Sequence, residues 1–439
     1  MLKLYDVETA RQTILRRSSI SADTYPPTLL DAVERIFGKG VTPAQAVVQI
    51  LASVRDEGDA ALRRWTEILD KASLDDFHVS ADQIASAFHS LPESLSCALT
   101  TAADRIRAFH QRQPLSAWTT HDLGGTLGQR VTPIRCVGIY VPGGSAPLPS
   151  SLLMSAIPAR VAGVEEIIVC TPPRPHPTIL AAAHLCAVEH VFQIGGAQAI
   201  AAMAFGTESV PKVDKIVGAG NVFVTLAKQQ VYGVVGLDGL AGPTETMIIA
   251  DASANAAWVA ADLLAQAEHD PMASAILLTP DRALAEAVQI EVARQIESLS
   301  RAEIIAQSLA QRGGIVHTPD LATAAALADA YAPEHLCLSV AEPQVWADRI
   351  RNAGGLFIGE RSSEVLGDYV AGPSHIMPTG GTARFASPLN ALDFVKITSV
   401  IALDPDTSTA LSPLAAELAR AESLTAHAAA AELRGKINH

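Results

Sequence analysis

The chain has 439 residues, 49% apolar and 18% charged, enough to bury a sizeable core and to divide into two or more domains. Its formal net charge of -14, with no Lys/Arg stripe to offset it, argues against a nucleic-acid partner. Five scattered cysteines, Cys97, Cys136, Cys170, Cys186 and Cys337, form no CxxC pair and read as reduced core residues, and no apolar stretch approaches the roughly 20 residues of a membrane span.

The amino terminus, MLKLYDVETARQTILRR, lacks the apolar segment of a signal peptide, so a cytoplasmic protein is expected. Residues 1 to about 130 read mostly as helices, with apolar positions at helical spacing in 44–54 and 84–109. A strand-like run at 136–141 meets the turn Pro142-Gly143-Gly144. An alternation follows: helix 152–161, strand 167–170, helix 179–188, strand 191–194, helix 198–205, strand 215–217 and helix 222–231. Short apolar runs between helical patterns predict βαβ crossovers and a parallel sheet. A second alternation places strands at 247–250, 275–278, 314–317, 336–340 and 356–358. The alanine-rich stretch after His427 reads as part of a helical tail, free to dock on its own chain or on a partner. The expected fold class is α/β, with two Rossmann-like parallel-sheet units, a helical N-terminal segment and a C-terminal helical tail.

Several constellations carry chemistry. Gln266-Ala267-Glu268-His269-Asp270-Pro271 closes a helix, and side chains three apart on one face let Gln266 and His269 converge as metal ligands; a solvated pair at a helix end is the alternative. Ala332-Pro333-Glu334-His335-Leu336 joins a helix to a strand and sets a base titrating near neutrality beside a carboxylate able to hold water, or else forms a turn with solvated charges. Gly367 to His375, followed by Met377-Pro378-Thr379-Gly380-Gly381, reads as an irregular loop carrying Asp368 and His375. Glu422 and His427 share the tail helix, but five residues span roughly 500°, so they do not meet unless the helix breaks. Gly218-Ala219-Gly220-Asn221-Val222-Phe223 follows a strand and opens a helix, with Phe223 where a dinucleotide fingerprint has glycine; Asp238 stands about twenty residues on, where a ribose-binding acid would, a spacing that coincidence explains as well.

Taken in order, Tyr140-Val-Pro-Gly-Gly-Ser-Ala-Pro147, Gly196-Ala-Gln-Ala-Ile200, Gly242-Pro-Thr-Glu245, Gln266-Ala-Glu-His269, Pro333-Glu-His335 and Gly372-Pro-Ser-His375 closely resemble the histidinol dehydrogenase family over most of the chain. The resemblance implies oxidation of L-histidinol through bound L-histidinal to L-histidine with reduction of two NAD, the final steps of histidine biosynthesis. It implies one Zn2+ per subunit, held by Gln266, His269, Asp368 and His427, the last supplied in trans within a homodimer. By the same resemblance His335 is the general base of the alcohol step and Glu334 activates water. Thr244, Gln266, His269, His335, Asp368, His375, Glu422 and His427 would contact substrate, and Tyr140, Gln198 and Asn221 would contact NAD. Thr244 replaces a frequent serine and Ala219 a frequent proline, without loss of a functional group. The implied domains are an N-terminal segment (1–24), a zinc and catalytic α/β domain (25–135 plus 245–385), an NAD-binding α/β domain (136–244) and a dimerisation tail (386–439).

Other chemistries fit the same residues. A related zinc dehydrogenase of another polar alcohol, such as a sulfonated diol, would share base and metal, although Glu422 and His375 favour histidinol. A metallohydrolase could use Glu334 and the metal without NAD. A cysteine-based aldehyde dehydrogenase finds only Cys337 beside these motifs.

Overall fold

A computed structural model describes residues 2–17, 25–143 and 147–435. Gly144 of the expected turn, with Ser145 and Ala146 of the same motif, lies outside the described residues, as do 18–24 of the expected N-terminal segment and 436–439 of the tail.

The first alternation forms a five-stranded parallel sheet in the order His190–Gln193, Glu166–Thr171, Cys136–Tyr140, Lys215–Val217, Gly236–Leu237. Its strands are apolar runs because both faces are covered. Val137, Ile139, Val169 and Val191 point into one core with helices Pro149–Val161 and Pro177–Leu185, while Cys136, Tyr140, Ile168 and Phe192 point into another with Gly196–Phe205 and Val222–Val231. The second alternation forms a six-stranded parallel sheet in the order Leu4–Asp6, Gly314–His317, Ser274–Thr279, Glu245–Ala250, His335–Ser339, Gly355–Ile358. Here too alternate residues feed two cores, Ile248 and Leu277 one, Met247 and Leu336 the other.

The structure departs from the expected helical termini in two places. Leu4–Asp6 is an edge strand, too short to show a period. Trp118–Thr120, Thr126–Pro133 and Val395–Ala402 form a three-stranded antiparallel sheet that couples the region before residue 135 to the segment read as tail. Helices from 25–135, the segment grouped in the expectation with 245–385, pack on the five-stranded sheet. Val47, Ile50 and Val54 of helix Pro43–Glu57 bury with Ile200, Met203 and Val224, and Ile84, Leu99 and Ile106 bury with Leu152, Ile157 and Ile179, so these helices clothe the five-stranded unit. Their apolar stripes match that unit's helix-covered faces. Four cysteines are buried as expected, but Cys97 is exposed; all are free.

Beyond the third sheet, helices Pro405–Ala421 and Thr425–Gly435 pack on each other, and Ser423 (φ 62) breaks the chain between them. Leu411, Leu414, Leu418 and Leu433 of these helices are exposed, as are Ile397 and Ile401 of the adjoining strand. No described helix is long and apolar enough to cross a membrane. Phe394, 0% exposed, plugs the start of this extension into the core shared with Leu152 and Ile157. Phe394→Ala is expected to lower stability by about 3–5 kcal/mol through the cavity it leaves, read from denaturant unfolding; an unchanged midpoint would show that the anchor contributes nothing.

Candidate active site

Helix Leu321–Tyr331 ends on Ala332 in the left-handed region (φ 52), and Pro333 prevents it from continuing. The chain then turns through Glu334 into strand His335–Ser339, beside strand Glu245–Ala250, with His335 opposite Thr246. Glu334 Oε2 accepts from Thr244 Oγ1 (2.6 Å) and from the Glu245 N–H (3.0 Å). His335 Nδ1 donates to the Glu245 carbonyl (3.1 Å), and its Nε2 faces Asp368 Oδ1 (3.3 Å). Both side chains are buried, so the alternative of a turn with solvated charges is excluded. Gly354 permits the close approach behind them, since a Cβ there would lie 2.5 Å from the Glu334 carbonyl oxygen. The pair sits inside the sheet at the amino ends of its strands, not on a connection at the sheet edge.

Burial pushes the Glu334 carboxyl up to about 7. Burial acts to lower the His335 pKa, but Glu364, Glu334 and Asp368 together override it and push it up to about 10. Burial likewise raises Glu364 to about 8. At Asp368 burial is outweighed by His335, His375 and His269, which hold its carboxyl below the usual range.

Glu364 is the residue that the sequence motifs miss. It and Asp368 lie four apart on helix Glu364–Tyr369, where an irregular loop is expected over Gly367, Asp368 and Tyr369; the i,i+4 spacing of two acids is the signal that marks one shared face. Glu364 bonds Thr246 Oγ1 and, with the Gln266 amide nitrogen turned toward it, accepts from that group at 2.5 Å. Ligand atoms of His335, Glu364 and Asp368 all lie within 4.8 Å of one another. Two carboxyl groups and one imidazole so close together are a donor set of the oxygen- and nitrogen-binding kind that can hold a divalent cation, although this cluster shares only Asp368 with the ligand set the resemblance implies.

The other candidates are placed unevenly. His375 Nδ1 donates to the Asp368 carbonyl (2.7 Å) and its Nε2 meets Ser151 Oγ (3.3 Å), while Thr244 joins the pair through Glu334. Gln266 is buried, but helix Ala256–Ala267 stops before His269, which is exposed. The two therefore do not share a helical face, and His269 acts on Asp368 from the turn beyond the helix. Glu422 caps the carboxyl end of helix Pro405–Ala421 and His427 lies on helix Thr425–Gly435; both are exposed, and neither joins this cluster among the described residues. Burial and nearby acids push the Cys337 thiol well up, the opposite of an activated nucleophile.

A second candidate region lies at the carboxyl ends of the five-stranded sheet. Chain order reverses beside the central strand Cys136–Tyr140, the switch point where open α/β sheets bind ligands. The Tyr140 hydroxyl accepts from the Gly196 N–H (3.0 Å), and Asn221 caps helix Val222–Val231 by accepting from Phe223 and Val224 N–H. Gln198 Nε2 donates to Asp70 Oδ2 (3.0 Å), whereas its buried Oε1 has no partner among the described residues. At Gly218 (φ 106) a Cβ would lie 2.3 Å from the Tyr140 carbonyl oxygen, so only glycine fits. Asp238 is not a free ribose acid: Oδ1 accepts from Lys228 Nζ (2.6 Å) and Oδ2 from the Gly218 N–H (2.8 Å), and Lys228 also reaches the Gly218 carbonyl (2.8 Å). The buried pair braces the glycine turn. Ser151 and Met154, on the helix leaving this edge, bond His375 and Ser374, so the two regions adjoin.

A buried acid–base pair beside a cation-fitting cluster, next to a switch-point cradle, defines a two-unit α/β enzyme. The histidinol dehydrogenase family model matches residues 39–435. A histidinol dehydrogenase of Thermus thermophilus is 52% identical over 90% of this chain and 95% of its own length, and one of Deinococcus radiodurans is 49% identical over 94% and 95%. The crystal structure of histidinol dehydrogenase from Elizabethkingia anophelis superposes with a TM-score of 0.89 at 34% identity, covering 99% of this chain and 98% of that one. The chain belongs to the histidinol dehydrogenase family, and is an oxidoreductase.

Removing one partner of the Lys228–Asp238 pair leaves a buried charge uncompensated. Lys228→Met is expected to cost about 3–5 kcal/mol of stability in denaturant unfolding, whereas a surface pair such as Arg282–Glu286 contributes at most about 1 kcal/mol; equal effects would refute the bracing role.

Proposed function

We propose that the chain oxidises L-histidinol to L-histidine through bound L-histidinal, reducing two NAD, in the cytoplasm and at the last steps of histidine biosynthesis. The observation that carries this reading is the buried Glu334–His335 pair, held at the end of the sheet by one peptide segment and facing the Asp368 cluster. The domain roles in this reading are 136–244 for NAD, 25–135 plus 245–385 for metal and catalysis, and 386–439 for dimerisation.

In the alcohol step, His335 Nε2 takes the hydroxyl proton as the carbinol carbon loses hydride. In the aldehyde step, Glu334 removes a proton from the water that adds to the carbonyl carbon, and the resulting hydrate loses a second hydride and a further proton to leave the carboxylate. NAD, when bound, supplies the hydride acceptor for each oxidation. Tyr140, Gln198 and Asn221 are its contacts, supported by the unpartnered Gln198 oxygen at the switch-point edge. Zinc, when bound, supplies Lewis acidity toward the substrate's oxygen and nitrogens and offsets the carboxylate charge that protonates His335. Gln266, His269, Asp368 and the partner subunit's His427 would hold it; Thr244, His375 and Glu422 would complete the substrate contacts. Keeping the aldehyde bound between steps prevents loss of a reactive amino-aldehyde.

The expected stoichiometry is two NADH per L-histidinol, measured by absorbance, with no comparable rate on sulfonated or simple diols. Preference for such diols, or metal-dependent hydrolysis without NADH, would sink this assignment. His335→Asn should suppress the first oxidation, and Glu334→Gln should suppress oxidation of supplied histidinal more than that of histidinol.

The tail supports a dimer with exchange, because its exposed leucines lack a cover within the described chain and His427 lies away from the Asp368 cluster. Mixing inactive His427→Asn and His335→Asn proteins is expected to restore activity to a fraction of mixed dimers. No recovery after verified subunit exchange would place His427 in cis.

A further inference from the structure

We propose that Arg17 is a positioning residue for the Glu334–His335 pair and acts through Glu245; the proposal rests on the roles given above to that pair. Glu245 contributes its N–H to Glu334 and its carbonyl to His335, so its placement sets both side chains. The Glu245 carboxylate is itself buried, and Arg17 grips both of its oxygens, Nη2 reaching Oε2 at 2.9 Å and Nη1 bonding Oε1. Gly380 N–H adds a contact to Oε1 (3.2 Å).

The same guanidinium holds the other side of the pair. Arg17 Nε and Nη2 donate to the Tyr331 carbonyl (3.0 and 2.6 Å), Nη2 also reaches the Ala332 carbonyl (3.1 Å), and the group lies 3.5 Å above the Tyr331 ring. Ala332 is the left-handed residue that aims Pro333 and Glu334 into the strand, a conformation that a residue other than glycine keeps only when its surroundings enforce it. One planar fork thus fixes the strand that anchors the pair and the turn that delivers it. A lysine, as a single point charge, cannot make all of these bonds at once. Arg17 comes within reach because strand Leu4–Asp6 and helix Val7–Gln12 dock the amino-terminal segment on the sheet edge beside Gly314–His317. The amino terminus is thereby part of the catalytic scaffold, although Arg17 touches neither reacting atoms nor cofactor.

The test uses full-length Arg17→Ala and Arg17→Lys proteins, with kcat, KM for NAD and thermal melting measured with and without added methylguanidine. A misplacement on the order of 1 Å should lower kcat of Arg17→Ala about 10- to 100-fold with KM for NAD unchanged. Methylguanidine should restore part of that loss, and Arg17→Lys should fall between. Native kcat in a folded Arg17→Ala protein would overturn the proposal, as would a loss that methylguanidine does not relieve and that raises KM for NAD equally. If Arg17→Ala fails to fold, Arg17→Lys decides: lowered kcat at a native melting temperature supports positioning, and native kcat refutes it. Native turnover in His335→Asn and Glu334→Gln would be a different failure, removing the roles of the pair itself.

Discussion

Two titratable side chains are kept in the protein interior by the Thr244–Glu245 segment, and the rest of the site is arranged around that constraint. A buried carboxyl and imidazole without partners would each cost several kcal/mol or lose their charge. Here the Glu245 N–H and Thr244 hydroxyl satisfy Glu334, and the Glu245 carbonyl orients His335. The pairing of His335 with Thr246 makes this a property of the sheet itself. A slip of one residue would send every side chain of His335–Ser339 to the opposite face and take His335 away from Asp368. The apolar residues Leu336 and Leu338, buried on one face with Met247 and Ile249, hold that register, so core packing and catalytic geometry are set by the same alternation.

Much of the fold was legible because buried parallel strands leave a strong trace: apolar runs such as 167–170 and 275–278, punctuated by helices. The antiparallel sheet left no comparable trace. Thr126–Pro133 reads TLGQRVTP and Val395–Ala402 is largely exposed, so neither shows a clean apolar period, and their partnership spans most of the chain. In the site, Glu334 and His335 were visible as adjacent groups, but their burial was not, since Ala-Pro before them resembles a turn. Glu364 was hidden because glycine and proline on its C-terminal side suggested irregular structure, although its spacing from Asp368 was helical. Arg17 carried no motif at all; its role exists only once the edge strand docks. Asp238 errs in the other direction, a correct spacing for a ribose acid filled by a residue already committed to Lys228.

The two sheets meet the proposed reaction with opposite ends. The proposed cofactor cradle lies at carboxyl ends, at the Gly218 and Gly196 turns that precede helices Val222–Val231 and Gly196–Phe205, whereas the acid–base pair lies at amino ends of the other sheet. This division has a physical logic. The carboxyl-end turns are braced from within, the Gly196, Gly218, Phe223 and Val224 N–H groups being bonded to Tyr140, Asp238 and Asn221, while the amino-end position buries the pair against the Glu245 backbone. Direct bonds from Ser151 to His375 and from Met154 to Ser374 tie the first helix of the cradle to the loop beyond Asp368. A hydride must pass between the two regions, so their separation has to be held more tightly than loop contacts in water would allow.

The tail belongs to the same argument. Its helices bury little within the described chain, leaving Leu411, Leu414 and Leu418 exposed at helical spacing, and Leu433 of the second helix and Ile397 and Ile401 of strand Val395–Ala402 exposed as well. Apolar residues so grouped are costly to leave in water, and a symmetric partner is the simplest cover, since each copy carries the same strand and helices. Such a cover would also resolve the placement of Glu422 and His427: the break at Ser423 separates Glu422, at the end of one helix, from His427, on the next, an arrangement that suits a segment laid across a neighbour. On that reading the metal set is complete only in the dimer, and the stability of the interface and the occupancy of the site become one coupled equilibrium.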